Sequence, residues 1–238
     1  MFANLYQAIL YIPIFNLLVF FYNIVPGHDI ALAITLLTIV IKIILSPFFV
    51  QSIKAQRVMQ DLQPKVDALK EQYKDEKEKM GAALLELYKK EKVSPLSSCL
   101  PLILQLPFLL AVYQVFRVGL SNGSFEVVYP FITNPGSINP MAFGLIDFSQ
   151  ASIWMAVLAG AAQFIQSKLM FKKNKSQASD KNNPMAKMGK QMTYFMPIIT
   201  VFIGASLPAG LTFYWFLITI LGALQQYWVF KKMDLNKA

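Results

Sequence analysis

The sequence predicts an all-α integral membrane protein with five transmembrane helices. Of the 238 residues, 55% are hydrophobic and 15% are charged, whereas ordinary soluble domains carry roughly 25% charged residues. The mean hydropathy is +0.46. The net charge of +9 does not indicate a nucleic-acid-binding domain, because the basic residues are sorted into separate segments instead of one exposed patch.

Five apolar segments are each long enough to cross a bilayer, which takes about 20 helical residues. They lie at residues 29–50, 96–118, 151–171, 191–207 and 210–230. Pro208 and Gly210 form a tight turn between the last two segments. These two helices are therefore expected to be antiparallel neighbours.

The distribution of basic residues predicts how the helices are oriented. All but two of the 22 Lys and Arg residues lie in the linker 54–93, in or just before the linker 172–190, and in the tail 231–238. By the positive-inside rule these segments, including the C-terminus, are cytoplasmic. Residues 172–190 are expected to form a mobile loop, and residues 119–150, rich in Pro and Gly, an outer loop.

The first 27 residues are expected to form a helix lying on the outer membrane surface, with the N-terminus outside. The segment is apolar enough to span, but it has no basic residue that would hold its start in the cytoplasm. Pro13 and Asn16 interrupt it, and its tyrosines favour the interface between lipid and water.

Residues 54–93 predict a cytoplasmic helical hairpin, the alternative being a solvated charged linker. Apolar residues recur at helical spacing in two stripes, and the chain is expected to reverse between them, near the sequence KDEKEK. The stripes are Leu62, Val66, Leu69 and Tyr73, followed by Met80, Leu84 and Leu87. Ser94 before Pro95 then indicates the N-cap and first turn of the next helix.

Lys42 is the only charged residue between Asp29 and Lys54. A charge near the middle of a spanning helix costs roughly 2.5 to 3.5 kcal/mol, so it usually faces a protein interior or a water-filled cavity. Thr35, Thr38 and Ser46 lie within an arc of about 80° with Lys42 on a helix. No Asp or Glu lies in any predicted span core, which favours a hydrated cavity that attracts anions.

Two alternatives remain for this polar stripe. Lys42 could extend its side chain to the headgroup layer, and the Thr and Ser hydroxyls could bond their own helix carbonyls on a helix-packing face. In the last span, Thr212, Thr219 and Gln226 share one face, and Tyr214 and Gln225 share another. The sequence does not show which of these faces borders a cavity.

No group of residues indicates catalysis. The sole histidine, His28, lies in a turn beside Asp29, and no serine stands in a nucleophile context. The single cysteine, Cys99, excludes an intramolecular disulfide and a thiolate metal cluster. We therefore expect no enzyme activity, no metal site and no cofactor.

Several motifs resemble those of the YidC/Oxa/Alb membrane protein insertases, in the same order along the chain. They are LTIVIKIILSPF, LYKKEKVSPLSSCLPLILQLPFLLAVYQ, KQMTYFMPIIT and LPAGLTFYWFLITILGALQQY. The resemblance implies that the five transmembrane helices surround a hydrophilic groove, which is open to the cytoplasm and lipid but closed outside. It also implies a bacterial inner-membrane protein that acts as a monomer on nascent membrane proteins in the lipid bilayer, without nucleotide. The ribosome and the Sec translocon are further candidate partners, and no specific nucleic acid is expected.

The resemblance also suggests which residues bind substrate. Lys42 stands where the family usually has arginine, Gln105 with Pro107 matches its Gln-x-Pro pattern, and Tyr214 matches an aromatic position that meets the substrate helix. With Thr35, Thr38, Ser46 and Thr212, these residues form the predicted substrate-binding set.

Several departures from the family pattern are also present. Lysine at position 42 lacks the planar fork of arginine, and Ile218 with Thr219 stands where relatives often have Ser-Asn. The chain is expected to be a short form without a large extracytoplasmic domain, and its eight-residue tail lacks a long basic ribosome-binding extension.

The predicted function is thus that of an insertase or chaperone that guides hydrophobic segments into the bilayer through the groove, alone or with the Sec translocon. One alternative is a small transporter or anion channel that uses Lys42 as a counter-charge, although no internal repeat is visible. A structural subunit that holds partners through small-residue faces is another, but it leaves Lys42 without a role.

Overall fold

The computed structural model describes residues 2–91, 93–94, 100–119, 125–171 and 184–235. Within these ranges the regular secondary structure is helical apart from one short antiparallel β-hairpin and an isolated β-bridge between Ala151 and Pro208, which confirms the mostly helical class. The elements are α1 (Phe2–Tyr6), a π-helical turn (Gln7–Tyr11), α2 (Ile12–Ile24), a 3-10 turn (Pro26–His28), α3 (Ile30–Gln72), α4 (Lys77–Lys90), α5 (Leu100–Gly119), β1 (Met141–Ala142), β2 (Ile146–Asp147), α6 (Ile153–Phe171), α7 (Pro184–Gly204) and α8 (Ala209–Leu235).

The five predicted spans overlap α3, α5, α6, α7 and α8. Among the described residues, four helical stretches are suited by length and composition to crossing a membrane, and a shorter apolar helix covers Gln191–Gly204. The four stretches are Asn4–Ile24, Ile30–Gln72, Ile153–Met170 and Ala209–Leu235. The N-terminal stretch is thus long enough to span, so its position on the outer surface stays a prediction.

Helix α3 is 43 residues long and joins two segments that the sequence pattern separates. It begins at Asp29, whose side chain accepts hydrogen bonds from the amides of Ala31 and Leu32 at 2.9 and 3.1 Å and so caps the helix. The helix continues through the boundary expected at residues 51–53, because neither Pro47 nor Pro64 ends it. The first span and the first arm of the hairpin are therefore one helix.

The predicted reversal near KDEKEK is present. The chain turns at residues 73–75 before α4 begins at Lys77, and Leu62 and Val66 of the first stripe are buried. The Lys65 ammonium lies 2.6 Å from a carboxylate oxygen of Glu91 and joins the two arms. The expected helix start at Pro95 lies outside the described residues, as does Cys99.

Asn16 fastens the N-terminal segment to the outer loop. Its amide nitrogen donates to the carbonyls of Ile12 and Val127, both at 2.9 Å, and its amide oxygen accepts from the Tyr129 amide at 2.7 Å. In the sequence this residue looked like an interruption of an apolar helix. In the structure α2 continues through it, because all three bonds satisfy its buried polar atoms.

Helices α3, α6 and α8 run in the same direction. At one end, the amides of Ala209 and Gly210 donate to carbonyls of Gln150 and Phe148 at 2.7 and 3.0 Å, which joins the start of α8 to the chain just before α6. At the other end, Gln60 of α3 donates to the Met170 carbonyl of α6 at 2.7 Å. This parallel arrangement agrees with the alternation inferred from the positive charges.

Two helices extend beyond their predicted limits. Residues 184–190, expected in a mobile loop, form the start of α7 instead, and proline at its first position is compatible with a helix start. Residues 172–183 of that expected loop lie outside the described residues. Helix α8 likewise continues through the start of the predicted tail to Leu235.

Candidate functional site

Lys42 is buried where α3, α6 and α8 meet, with 8% of its surface exposed. Its ammonium lies 4.0 Å from the centre of the Phe49 ring, a cation–π contact. Gly222 of α8 makes the close approach possible, since a Cβ there would lie 3.6 Å from the ammonium and 2.8 Å from the amide nitrogen of Gln166. Among the carboxylates that the structure describes, none lies within ion-pair distance of Lys42.

A cavity of about 290 Å³ lies between α3 and α8 beside this ammonium. It is lined by Ile39, Lys42, Ile43, Ser46, Leu221 and Gln225. Ile43 and the neighbouring Ile44 are exposed on the outside of the bundle, so the cavity borders an apolar lateral surface. The volume is sufficient for several water molecules; hydration of Lys42 stays a prediction.

Gln225 joins the two walls of the cavity. Its amide nitrogen donates to the hydroxyl oxygen of Ser46 at 2.9 Å and to the Ser46 carbonyl at 3.3 Å. Its amide oxygen is buried and has no hydrogen-bond partner in the described part of the chain. Gln225 therefore holds an unpartnered acceptor beside the cavity that it lines.

A proline removes the usual helix donor from a carbonyl at the same wall. Pro47 has no backbone N–H, so it cannot donate the usual helix hydrogen bond to the carbonyl of Ile43. Ile43 is a lining residue of the cavity. The wall of α3 thus combines a cation with a carbonyl that lacks its usual i+4 helix donor.

Thr35 and Thr38 do not line the cavity, although they share the polar stripe with Lys42. Their hydroxyls donate to the carbonyls of Ala31 and Ile34 in the preceding turn, at 2.7 and 2.6 Å. This is the alternative in which hydroxyls satisfy themselves within the helix. The stripe therefore divides into two parts. Thr35 and Thr38 bond carbonyls of their own helix, whereas Lys42 and Ser46 border the cavity.

The other three predicted residues lie elsewhere. Tyr214 is completely buried, with a hydroxyl that has no partner among the described residues. Thr212 is also buried and donates to the carbonyls of Gly204 and Pro208 at 3.2 and 3.3 Å, which stabilises the turn between α7 and α8. Gln105 is partly buried on α5 and does not line the cavity.

The sequence missed the roles of Phe49, Gln166, Gly222 and Gln225. The amide of Gln225 was visible as a polar residue in a span, but its partner Ser46 is 179 positions away. In the described ranges no three His, Cys, Asp or Glu residues are grouped to hold a metal. The chemistry that the cavity offers is therefore electrostatic attraction and hydrogen bonding.

Comparisons with known proteins agree with this architecture. The family model described as 60Kd inner membrane protein matches residues 20–237. The membrane protein insertase YidC of Rickettsia felis is 32% identical over 92% of this chain, which covers 38% of that protein. The YidC insertase of Fusobacterium nucleatum is 31% identical over 84% of this chain and 86% of its own length.

A solved structure, described as an active YidC insertase with its first transmembrane domain resolved, has the same fold. The match has a TM-score of 0.61 at 24% identity, over 94% of this chain and 46% of that chain. The chain spans about 38% of the length of the Rickettsia felis relative. None of these comparisons supports a transporter or channel.

The family resemblance seen in the sequence motifs is thus confirmed, and the apolar helices make the chain an integral inner-membrane protein. The chain belongs to the 60Kd inner membrane protein family, which it shares with the YidC membrane protein insertases.

Proposed function

We propose that this protein inserts hydrophobic segments of newly made proteins into the lipid bilayer through the cavity between α3 and α8. The observation that carries the proposal is the Lys42 ammonium, which borders a lateral cavity and has no described carboxylate as its partner. A cation in this position attracts acidic residues of an incoming chain.

The cavity lowers the barrier for the polar part of a substrate. A polar segment that enters it is hydrated or bonded to Lys42, instead of crossing the full thickness of the hydrocarbon. Backbone groups of an extended substrate need partners at this depth, and the Gln225 amide oxygen and the Ile43 carbonyl supply acceptors. The following apolar segment leaves past Ile43 and Ile44 into lipid, driven by the burial of about 20 apolar residues.

Within the predicted substrate-binding set, we assign direct contact first to Lys42 and Ser46, because they line the cavity. Gln225 joins them, although the sequence did not single it out. Thr35 and Thr38 lie on the same face of α3, where their hydroxyls bond carbonyls of the helix itself. Contact of substrate with Gln105, Thr212 and Tyr214 stays a prediction.

The topology proposed from the charges places the N-terminus outside and the C-terminus in the cytoplasm. In this arrangement the α3–α4 hairpin meets substrates first. The proposed protein acts as a monomer without enzyme activity, on nascent membrane proteins supplied by the ribosome, alone or beside the Sec translocon.

Single cysteines test the proposed topology. In a C99S background, a cysteine at position 137 should react with a membrane-impermeant maleimide added from the outside, and a cysteine at position 85 should react from the inside.

Site-specific photocrosslinking to stalled nascent chains tests the function directly. Probes at positions 42, 46 and 225 should crosslink to the hydrophobic segment of a stalled membrane protein. The matched control is position 202 on α7, where Phe202 is exposed on the bundle surface away from the cavity residues. Equal crosslinking at 202 and at the three cavity positions would contradict passage through the cavity.

A further inference from the structure

The outer loop contains an uncharged segment with exposed apolar side chains. Residues 127–146 include no Asp, Glu, Lys, Arg or His. Within this segment Phe143 is 61% exposed and Leu145 is 82% exposed. Large apolar side chains that are exposed instead of packed into the core indicate an interaction surface.

Phe143 and Leu145 lie at the tip of the hairpin formed by β1 and β2. The Leu145 amide donates to the Ala142 carbonyl at 3.0 Å across the turn, and the two central residues, Phe143 and Gly144, have φ angles of 52° and 67°. Both are left-handed, as in a type I′ turn, which prefers Asn-Gly. The tip therefore keeps an exposed phenylalanine at a backbone position that is strained for a large side chain, so turn formation alone does not explain this residue.

Asp29 determines the depth of this tip along the bundle. One oxygen of its carboxylate caps α3 through Ala31 and Leu32, and the other accepts a hydrogen bond from the Phe143 amide. Asp29 is also the last charged residue before the apolar run of α3. The hairpin tip therefore lies at the level where α3 and its apolar run begin.

The start of α6, which follows the hairpin in the chain, also exposes apolar side chains. Phe148, just after β2, accepts the Gly210 amide and is buried, so the hairpin base is fixed to the bundle. Ile153 and Trp154 then form the exposed first turn of α6, and Trp154 is 75% exposed. Exposed tryptophan at a helix end is typical of the membrane interface.

We propose that the β1–β2 hairpin is a membrane anchor, which inserts Phe143 and Leu145 into the lipid interface at the end of the bundle where α3 begins. The lack of charge over residues 127–146 and the exposed Trp154 at the start of α6, a residue type typical of the membrane interface, favour lipid over a protein partner. By the proposed topology this is the outer leaflet. The anchor does not involve the cavity, so insertion activity and anchoring can be tested separately.

Spin labels test this proposal in the intact protein. In a C99S background, nitroxides at positions 143 and 145 are compared with one at Ser137, which is exposed in the same loop, in vesicles of phosphatidylethanolamine and phosphatidylglycerol. We expect collisions with oxygen to be favoured at 143 and 145, and collisions with a water-soluble nickel complex to be favoured at 137. Equal nickel accessibility at all three positions in the vesicles would overturn the proposal. It would do so even if positions 143 and 145 were protected from nickel in native membranes, because protein partners present there would then explain the protection.

A second experiment keeps the nitroxide away from the two tip residues. A nitroxide at Met141 reports on the hairpin, and F143N with L145N removes the apolar tip while placing asparagine in a turn that accepts it. We expect nickel accessibility at position 141 to rise several-fold with no loss of thermal stability. An unchanged accessibility with Tm retained would count against anchoring by these two side chains.

Discussion

Helix α3 contains two buried cations, and they differ in what neutralises them. Arg57 is 2% exposed, and its guanidinium lies 2.9 Å from Asp234 and 3.6 Å from Asp61. It also lies 5.2 Å from the centre of the Phe230 ring. Lys42 is 8% exposed. Among the ion pairs and cation–π contacts of the described residues, its ammonium makes only the contact with the Phe49 ring.

The difference separates a structural cation from one available to a ligand. A buried charge is tolerated when paired, and the pair with Asp234 ties α3 to the end of α8. Lys42 retains its attraction for an anion because the helices around it contribute hydrogen-bond acceptors and small residues instead of acids. The same helix therefore supports the bundle at Arg57 and offers a binding charge at Lys42.

The largest effect should come from removing both partners of Arg57. In D61N/D234N the buried guanidinium loses its counter-charges, and we expect a loss of about 3 kcal/mol in the free energy of unfolding. The measurement is the Tm in detergent. The control R57M/D61N/D234N removes the cation as well and should recover much of the loss; equally low stability in both variants would show that Arg57 is not the cause.

Replacing Lys42 should affect activity far more than stability. In K42M the stem keeps its apolar packing without the charge, so the Tm should stay the same or rise. Insertion of substrates with acidic leading segments into reconstituted vesicles should fall about tenfold, equivalent to ~1.4 kcal/mol of lost attraction. The matched control is a substrate with a neutral leading segment, and equal impairment of both would contradict the attraction.

Giving Lys42 an internal partner should make it resemble Arg57. In I39E a carboxylate stands three residues before Lys42 on the same helix and lines the same cavity. We expect the preference for acidic substrates to be lost although Lys42 is still present. I39Q is the matched control and should keep the preference, whereas a preference retained in I39E would show that the cavity charge does not select substrates.

The smallest effect is expected for the bond that joins the cavity walls. S46A removes the hydroxyl that accepts from Gln225 at 2.9 Å but keeps the carbonyl that accepts at 3.3 Å. Interhelical bonds in membranes contribute about 0.6 kcal/mol, so the Tm should change little. A large fall in Tm would mean that the contact between α3 and α8 depends on this one bond.

Local patterns predicted the features that depend on nearby residues. The apolar runs, the sorted lysines and the two stripes of the hairpin each follow from a few neighbouring positions, and Lys42 was conspicuous because hydrophobic residues surround it. The continuity of α3 was missed because prolines and charges resemble a boundary in sequence. In the folded chain neither proline ends the helix.

The composition and order of residues by themselves determined that this is a helical membrane protein with a cation inside an apolar segment. Only the tertiary structure decided which polar groups face each other, because such pairs join positions far apart, as Ser46 with Gln225 and Arg57 with Asp234 do. It also divided the polar stripe: Thr35 and Thr38 bond their own helix, while Lys42 and Ser46 border the cavity. The physical reason is that periodicity specifies a helix face, whereas the partner of that face depends on how separate helices pack.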